Sequence, residues 1–172
     1  KLGNDYNYIV ADCQSIPFKN NYFDTIVANH MLFYLKDLKQ GLTEITRVLK
    51  NNGTFYCTTY SKYHMQEISE LAQNFDSRIS LSDDPLPERF GLENGKDILK
   101  SYFNYVELKK YEDYLLITEA QPLIDYILSC HGNQNEYLGN RLKEFKIYIE
   151  DLIKESQGIK ITKDSGLFIC TK

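Results

Sequence analysis

Several features are absent from this chain of 172 residues, and each absence narrows what it can be. The four cysteines are scattered without a C-x-x-C pair, which predicts free thiols in a reducing compartment. The three histidines have no nearby pair of further ligands, so we expect no metal site. No apolar run reaches the roughly 18 residues of a membrane span, and no signal-peptide pattern is present. These absences predict a cytoplasmic protein with no membrane partner.

The composition is that of an ordinary globular protein with an aromatic bias. Hydrophobic residues make up 42% of the chain and charged residues 26%, which is enough apolar material for one domain with a core. The formal net charge of -4 argues against a general nucleic-acid binder. There is no tryptophan, but 14 tyrosines and 9 phenylalanines predict an aromatic core.

Two short apolar runs each end on a polar side chain near the start of the chain. Residues 8–11 precede Asp12, and residues 23–28 precede Asn29. The second run is continuously apolar, which is typical of a strand covered on both faces. This order predicts a parallel α/β sheet in which Asp12 and Asn29 border a common ligand crevice.

A helix and a third strand are predicted next. Asp37 is a favourable N-cap residue, and Gly53 suits a left-handed helix end. Between them, apolar residues recur at steps of four, three and four, which indicates one helical stripe: Leu38, Leu42, Ile45 and Leu49. Residues 54–60 then read as the third strand.

The second half of the chain predicts a more variable region. Residues 76–89 contain two prolines and form a long loop suited to a lid or specificity segment. Residues 105–118 read as one or two strands. Residues 120–157 predict a helical insertion, and residues 159–172 a closing hairpin with its turn at 163–166.

Three segments at characteristic spacing carry a family resemblance: D-C-Q-S-I-P-F, F-D-T-I-V-A-N-H-M-L and E-I-T-R-V-L-K-N-N-G-T-F. Residues 9 to about 60 resemble the middle of a class I S-adenosylmethionine-dependent methyltransferase of the small-molecule branch. The resemblance implies a partial Rossmann-like, three-layer αβα fold with parallel strands, a C-terminal antiparallel hairpin and a helical insertion. We expect one truncated domain over 1–172, with a cofactor-side core at 1–60, substrate regions at 76–95 and 120–157, and the hairpin at 159–172.

The resemblance also assigns the cofactor, S-adenosyl-L-methionine, and the residues that would bind it. Asp12 matches the acidic residue that binds the adenine amine, with Cys13 beside it. The loop that passes the methionine part and the adenine face matches Asn29, His30 and Met31. On the following helix, Glu44 and Arg47 match structural positions, lie on one side and are expected to pair or cap.

The acceptor side is less defined by the sequence. Five residues lie in loops near predicted strand ends and are candidates to line it: Tyr34, Tyr60, Arg89, Phe90 and Glu93. Arg89 could pair with an acidic substrate group, with a surface salt bridge as the alternative. No residue stands out as a catalytic base, so the catalytic residues are unknown.

The family's glycine-rich turn is missing from these residues. No G-x-G-x-x-G or G-x-G-x-G occurs, and the first residues carry no methionine before the predicted strand. We therefore expect a truncated domain that binds the cofactor weakly or not at all and is inactive alone. Its sheet edge at 23–28 would be paired by residues 8–11 or covered by a second chain in a homo-oligomer.

The sequence thus predicts methyl transfer to an unidentified small-molecule acceptor, with this chain contributing an incomplete cofactor site. A non-catalytic binding or interaction subunit on the same scaffold is the alternative. A dehydrogenase is disfavoured by the F-D-T-I-V-A-N run and the E-I-T-R-V-L helix.

Overall fold

A computed structural model of the chain describes residues 7–82 and 84–172. The strands are β1 (Phe23–Asn29), β2 (Leu49–Tyr60), β3 (Tyr105–Ile117) and β4 (Ile159–Thr171). The longer α-helices are α1 (Leu38–Val48), α2 (Gln66–Phe75), α5 (Ala120–Ser129) and α7 (Leu142–Ser156). Shorter ones are α3 (Leu86–Arg89), α4 (Gly95–Lys100) and α6 (Gln134–Leu138), and 3-10 turns span Leu32–Tyr34 and Gly139–Arg141.

The described residues form two compact units. The first unit contains the residues up to Thr59 together with Asn94–Lys109 and Leu167–Lys172. The second unit contains Tyr60–Glu93 and Lys110–Gly166. The assignment of one domain to the whole chain, with a cofactor-side core at 1–60, stays a prediction.

The four strands form one mixed sheet in the order β1-β2-β4-β3. β1 pairs in parallel with β2. The N–H of Lys172 donates to the carbonyl of Gly53 at 3.3 Å, and just past the end of β2 the N–H of Ser61 donates to the carbonyl of Asp164 at 3.0 Å. Because the partner number falls as β2 advances, β4 runs antiparallel to β2. The predicted mixed α/β fold class is therefore confirmed.

Helix α1 forms where its apolar stripe and its capping residue predicted it. Asp37 lies at the N-cap, and its Oδ1 accepts a hydrogen bond from the N–H of Gln40 at 2.9 Å. This bond satisfies one of the four N–H groups that a helix start leaves unpaired. Leu42, Ile45 and Val48 are fully buried, so burial of one face holds the helix on the first unit.

The strand predicted at residues 8–11 is wrong. These residues have no regular secondary structure, and the side chains of Tyr8 and Ile9 are 68% and 59% exposed. A strand needs a neighbour for its backbone N–H and C=O groups. Among the described residues, none of the four strands lies alongside this segment.

The predicted helix stop at 51–53 is also corrected. The helix ends at Val48, and β2 already begins at Leu49. The left-handed residue is Asn52, with φ 63°, and not Gly53. An asparagine tolerates this region because its short polar side chain can form local hydrogen bonds. The register to β1 shifts at this point, so the segment is an irregularity inside β2.

The closing hairpin predicted at 159–172 is a single strand. β4 runs without interruption from Ile159 to Thr171, through the expected turn at 163–166. It lies between β2 and β3, so its backbone groups have partners on both sides. This pairing overrides the turn preference of the Asp-Ser-Gly segment. Its antiparallel neighbour β3 is likewise one strand.

Strand β1 is an edge strand in the described part of the chain. It pairs with β2 only, so the expected re-pairing with residues 8–11 does not form. Val27 is 58% exposed, whereas the next residue, Ala28, is buried. The prediction that this strand is covered on both faces is therefore wrong for the described residues.

The second unit has a core built mainly from helices. Most of the buried members lie on α2, α5, α7 and β4, and they include Ile68, Ala72, Leu123, Ile127, Phe145, Ile149 and Ile161. The predicted helical insertion is thus confirmed as helical. The longest helix, α7, has 15 residues, and no helix in the described ranges is long and apolar enough to cross a membrane.

The loop predicted at 76–89 is wrong at its end, because Leu86–Arg89 form α3. Its first part is held in place by one asparagine. Asn133 accepts a hydrogen bond from the N–H of Ser80 at 2.7 Å and donates from Nδ2 to the carbonyl of Arg78 at 3.0 Å. The backbone N–H of Asn133 also donates to Ser80 at 3.0 Å. Ile79, between these partners, is buried. A lid role for this loop stays a prediction.

Candidate functional site

Asp12 lies in a turn and does not close a strand. Its Oδ1 accepts a hydrogen bond from the N–H of Gln14 at 2.8 Å, and its Oδ2 accepts one from Gln14 Nε2 at 3.3 Å. The carbonyl of Asp12 accepts from the N–H of Ser15 at 3.0 Å. This is the side-chain-stabilised turn that aspartate favours. The residue is exposed. Its carboxylate stabilises the turn and at the same time faces solvent.

Gln14 joins this turn to the beginning of α1. Its Oε1 accepts a hydrogen bond from the N–H of Asp37 at 2.6 Å. Its carbonyl accepts one from Gln40 Nε2 at 3.3 Å. Asp37 is the N-cap residue of α1, so the position of the Asp12 turn is set by the helix that the sequence predicted most firmly.

The residues after the turn are held by an ion pair on α1. Arg47 makes a two-point contact with Glu44, with Nε–Oε1 and Nη2–Oε2 both 2.7 Å. Arg47 also donates to the carbonyls of Phe18 at 2.7 Å and Ile16 at 2.9 Å. Glu44 Oε2 in turn accepts from the N–H of Ile16 at 2.9 Å. The predicted Glu44–Arg47 pair is confirmed, and its attachment to residues 16–18 was missed by the sequence.

The electrostatics of the pair agree with this geometry. The hydrogen bond from Arg47 lowers the pKa of Glu44, with burial acting in the opposite direction. Both groups are therefore ionised at neutral pH, and the contact is charge-assisted.

Cys13 is half-buried next to this network. Burial raises the pKa of its thiol, and the nearby carboxylates of Asp12 and Glu44 raise it further. The thiol is consequently protonated at neutral pH and is not an activated nucleophile. Cys13 Sγ lies 3.9 Å from the position that a Cβ on Gly41 would occupy, which places the side chain against α1.

Asn29 and His30 lie at the carboxyl end of β1 and share one partner on β2. Thr58 Oγ1 donates to Asn29 Oδ1 at 3.4 Å and accepts from the N–H of His30 at 3.1 Å. His30 adopts a left-handed backbone with φ 48°, which a non-glycine residue adopts only when its surroundings favour it. Thr58 is opposite Asn29 in the parallel register. The sequence analysis did not identify Thr58, although its position in the predicted third strand could have indicated it.

The loop after His30 turns inward. Met31 is half-buried and precedes a 3-10 turn in which Leu32 and Phe33 are almost fully buried. Tyr34 remains exposed, with its ring 4.7 Å from that of Phe33 in an edge-on arrangement. Tyr34 is thus an exposed aromatic residue whose ring packs against a buried neighbour.

Both groups of predicted cofactor residues lie in the first unit, but they are held by different elements. The turn with Asp12 and Cys13 is attached to α1, and the loop with Asn29 and His30 is attached to β2. The expectation that Asp12 and Asn29 end neighbouring strands is wrong for Asp12. Their common crevice stays a prediction.

The remaining candidate residues lie in the second unit. The ring of Tyr60 is 5.4 Å from that of His64. Arg89 Nη2 lies 2.9 Å from Asp84 Oδ1 in an exposed ion pair, which is the surface salt bridge considered as the alternative. Phe90 is fully buried, so its side chain is not part of an accessible surface.

Glu93 accepts hydrogen bonds from residues that follow β2. Its Oε1 accepts from Ser61 Oγ at 2.6 Å, and its Oε2 accepts from the N–H of Lys62 at 3.3 Å. Burial acts to raise the pKa of Glu93, but these hydrogen bonds outweigh it and the pKa is lowered. A carboxylate with a lowered pKa is a weak general base, so Glu93 is a poor candidate for proton abstraction.

The donor and acceptor groups of the Asp12 turn fit the adenine end of an adenosyl cofactor. A carboxylate offers about four acceptor positions, and each oxygen of Asp12 receives one hydrogen bond from Gln14. Capacity remains for an exocyclic amine. The methionine end has no glycine-rich turn in these residues, so the groups present fit part of the cofactor.

Comparison with known proteins gives related sequences. Residues 1–57 match the family model described as a methyltransferase domain. The malonyl-[acyl-carrier protein] O-methyltransferase of Chlorobium luteolum is 25% identical over 160 residues, which cover 91% of this chain and 57% of the relative. The ubiquinone/menaquinone biosynthesis C-methyltransferase of Vibrio cholerae is 30% identical over 73 residues, which cover 42% and 28%. The chain spans little more than half of the first relative's length.

Solved structures share the fold. A protein of Anaeromyxobacter dehalogenans assigned as a type II methyltransferase aligns with TM-score 0.64 at 17% identity, over 99% of this chain and 74% of that one. A protein of Bacillus halodurans assigned as a methyltransferase aligns with TM-score 0.55 at 13% identity, over 94% and 69%. The chain therefore carries methyltransferase-domain sequence on the methyltransferase fold, so the predicted likeness to class I S-adenosylmethionine-dependent methyltransferases is confirmed and S-adenosyl-L-methionine is the cofactor that the family implies.

Proposed function

We propose that this chain contributes the adenine-binding part of an S-adenosylmethionine site used for methyl transfer to a small-molecule acceptor. The observation that carries the proposal is the exposed Asp12 carboxylate on a turn that Gln14 attaches to α1. A carboxylate held in this way needs no rearrangement to accept a hydrogen bond from an adenine amine, which lowers the cost of binding.

S-adenosylmethionine, when bound, supplies a sulfonium methyl group. The task of the protein is to hold the acceptor in line and to exclude water. Asp12 would accept from the adenine amine, with Cys13 beside it. Asn29, His30 and Met31 would border the ligand after β1, with Thr58 fixing the orientation of Asn29 and of the His30 backbone.

The acceptor is proposed only as a class. The relative that aligns with 91% of this chain acts on malonyl-[acyl-carrier protein], and the second acts in quinone biosynthesis. Both names favour a small-molecule or carrier-bound acceptor. Tyr34, Tyr60, Arg89 and Glu93 are the proposed lining residues, with Phe90 set aside because it is buried. Cytoplasmic location is part of the same proposal.

We expect the 172-residue chain alone to bind the cofactor weakly and to transfer no methyl group. In a Rossmann-like site the glycine-rich turn brings the backbone close to the ligand at a helix N-terminus, and these residues contain no such turn. We expect a dissociation constant for S-adenosylhomocysteine above about 100 μM, which is less than about 6 kcal/mol of binding free energy.

The test is ligand-detected saturation-transfer NMR with S-adenosylhomocysteine, which registers weak binding. Transfer to the adenine protons is expected with the unmodified chain and is expected to disappear in Asp12→Ala. Asp151→Ala is the matched control, since Asp151 is an exposed aspartate on α7. Both variants remove one carboxylate and change the net charge equally.

Three results would count against the proposal. Equal transfer in the Asp12 and Asp151 variants would remove Asp12 from the site. Micromolar affinity would contradict the incompleteness of the site. Absence of transfer to the unmodified chain at millimolar ligand would favour the non-catalytic binding subunit.

A further inference from the structure

Strand β3 is the second edge of the sheet, and its central part is open to solvent. It stands at the end of the order β1-β2-β4-β3, so only its β4 side is paired in the described part of the chain. Residues 109–116 are all exposed, which means that both faces of the strand are uncovered. Tyr111 and Leu116 are 65% and 55% exposed. A long exposed edge with apolar side chains is a template for pairing with another chain.

The backbone of β3 is bonded on one side only in the described part of the chain. The N–H of Asn104, just before β3, donates to the carbonyl of Thr171 on β4 at 3.0 Å. Successive residues of a strand direct N–H and C=O to alternate sides. Every second residue of β3 therefore directs its backbone groups to the open edge.

A second copy of β3 can pair antiparallel with this edge only in certain registers, because outward residues must face outward residues. One of them places Tyr111 opposite Tyr111 of the second copy. In that register Lys109 of each copy faces Asp113 of the other, and Lys110 of each copy faces Glu112 of the other. Opposite charges across strands stabilise pairing, and so do facing aromatic side chains.

The neighbouring allowed registers bring like charges together. A centre at Lys109 or Lys110 places two lysines opposite each other, and a centre at Glu112 or Asp113 places two carboxylates there. Like charges directly opposite destabilise the pair. Among the registers centred on residues 109–113, the charge pattern K-K-Y-E-D therefore selects the one about Tyr111.

We propose that β3 associates with β3 of a second copy of this chain, antiparallel and centred on Tyr111. The contact is isologous, because the same residues on both copies form it about a two-fold axis. Within the described residues, Oδ1 of Asp113 accepts from the N–H of Tyr114 at 2.8 Å, which leaves its Oδ2 available for the pairing. This partner edge differs from the β1 edge for which the sequence predicted an oligomer.

Strand β1 lacks the features that favour β3 for self-association. Its sequence is F-D-T-I-V-A-N, with Asp24 as its only charged residue. Asp24 already contacts Lys50 at 2.8 Å. No antiparallel self-pairing of β1 places opposite charges across the strands, so charge complementarity favours β3.

The test is sedimentation equilibrium of the 172-residue chain from about 10 μM to about 1 mM, the range suited to a small interface. A monomer–dimer equilibrium is expected. Lys110→Glu and Glu112→Lys each place like charges opposite at two symmetry-related positions, so each is expected to raise the dimer dissociation constant about tenfold. Lys143→Glu, at an exposed lysine on α7, is the charge-matched control and is expected to change nothing.

Mixing the two β3 variants gives the decisive result. In a mixed dimer, glutamates at 110 and 112 of one copy face lysines at 112 and 110 of the other, so association is expected to return to the unmodified level. A local folding defect in either variant could not be repaired in this way. The proposal fails if the unmodified chain is a monomer throughout, if the charge variants associate normally, or if the mixture does not recover.

Discussion

Glu67 on α2 makes contacts whose removal gives a sharp test of how the second unit is held together. Its Oε2 accepts a hydrogen bond from the backbone N–H of Thr162 at 3.0 Å, and its Oε1 accepts from the Thr162 hydroxyl. The N–H of Met65, just before α2, donates to the carbonyl of Thr162 at 2.8 Å. The start of α2 is thus joined to β4 through one residue, and Glu67→Ala removes two of the three bonds.

The magnitude follows from what the substitution leaves behind. The N–H of Thr162 loses its acceptor, and an unpaired donor that is shielded from water costs about 1–3 kcal/mol. Alanine has slightly better helix propensity than glutamate, which offsets a few tenths of a kcal/mol. We expect Glu67→Ala to lower the free energy of unfolding by about 2 kcal/mol at pH 7.

Urea denaturation followed by circular dichroism is the assay, with Glu70→Ala as the matched control. Glu70 is exposed on the same helix, so its substitution is expected to change the unfolding free energy by less than about 0.5 kcal/mol. Thr162→Val removes the hydroxyl bond and keeps the backbone bond, so its cost should be about half. Equal effects of the Glu67 and Glu70 variants would refute the reasoning.

The same contact gives a pH dependence with a definite sign. Burial acts to raise the pKa of Glu67, but the hydrogen bonds from Thr162 outweigh it and the pKa is lowered. A carboxyl whose folded pKa is lowered stabilises the protein above its unfolded pKa of about 4.3 and loses that contribution as the pH falls through the folded value. The stability gap between the unmodified chain and Glu67→Ala should therefore shrink below about pH 4. A gap that widens there would contradict this sign.

Three further predictions concern the cap, the core and the thiols of the first unit. Asp37→Ala removes the N-cap bond of α1 and should cost about 1 kcal/mol in urea denaturation; an unchanged midpoint would contradict it. Phe55→Ala empties a fully buried site whose ring stacks on Phe103 at 5.4 Å, and should cost about 3–5 kcal/mol; a loss below about 1 kcal/mol would contradict that burial. The hydrogen bond with Cys170 and burial raise the pKa of Cys57, so native Cys57 should resist Ellman's reagent, and its immediate modification would contradict the structure.

Local signals in the sequence predicted the parts of the fold that depend on local interactions. The stripe on α1 and its Asp37 cap lie within consecutive turns of one helix, so periodicity and capping preference determined them. The Glu44–Arg47 pair followed from its spacing of three residues on a helix.

The errors fall where pairing with distant segments decides the structure. Residues 8–11 have strand-forming side chains, but no described strand lies beside them. Residues 163–166 have turn-forming side chains, yet strands on both sides of β4 hold them extended. Neither outcome can be read from composition, because both depend on which backbone groups find partners.

The sequence predicted which residues form the candidate site better than it predicted how they are arranged. The family resemblance gave Asp12 and Asn29, but not the turn in which Asp12 lies. Gln14 and Thr58 were missed, because each acts through a hydrogen bond to a segment distant in sequence. Phe90 was expected to line the acceptor side, and its side chain is fully buried, because the sequence does not reveal which way an apolar residue faces.

The most direct test of the cofactor site is a titration of the ¹⁵N-labelled chain with S-adenosylhomocysteine, observed in two-dimensional NMR spectra. The central claim is that the Asp12 turn and the loop after β1 border the same ligand. It predicts concentration-dependent shifts of the amides of Asp12, Cys13, Asn29, His30 and Met31 that fit one dissociation constant. Shifts confined to one of the two segments, or shifts elsewhere in the chain with these amides unmoved, would contradict it.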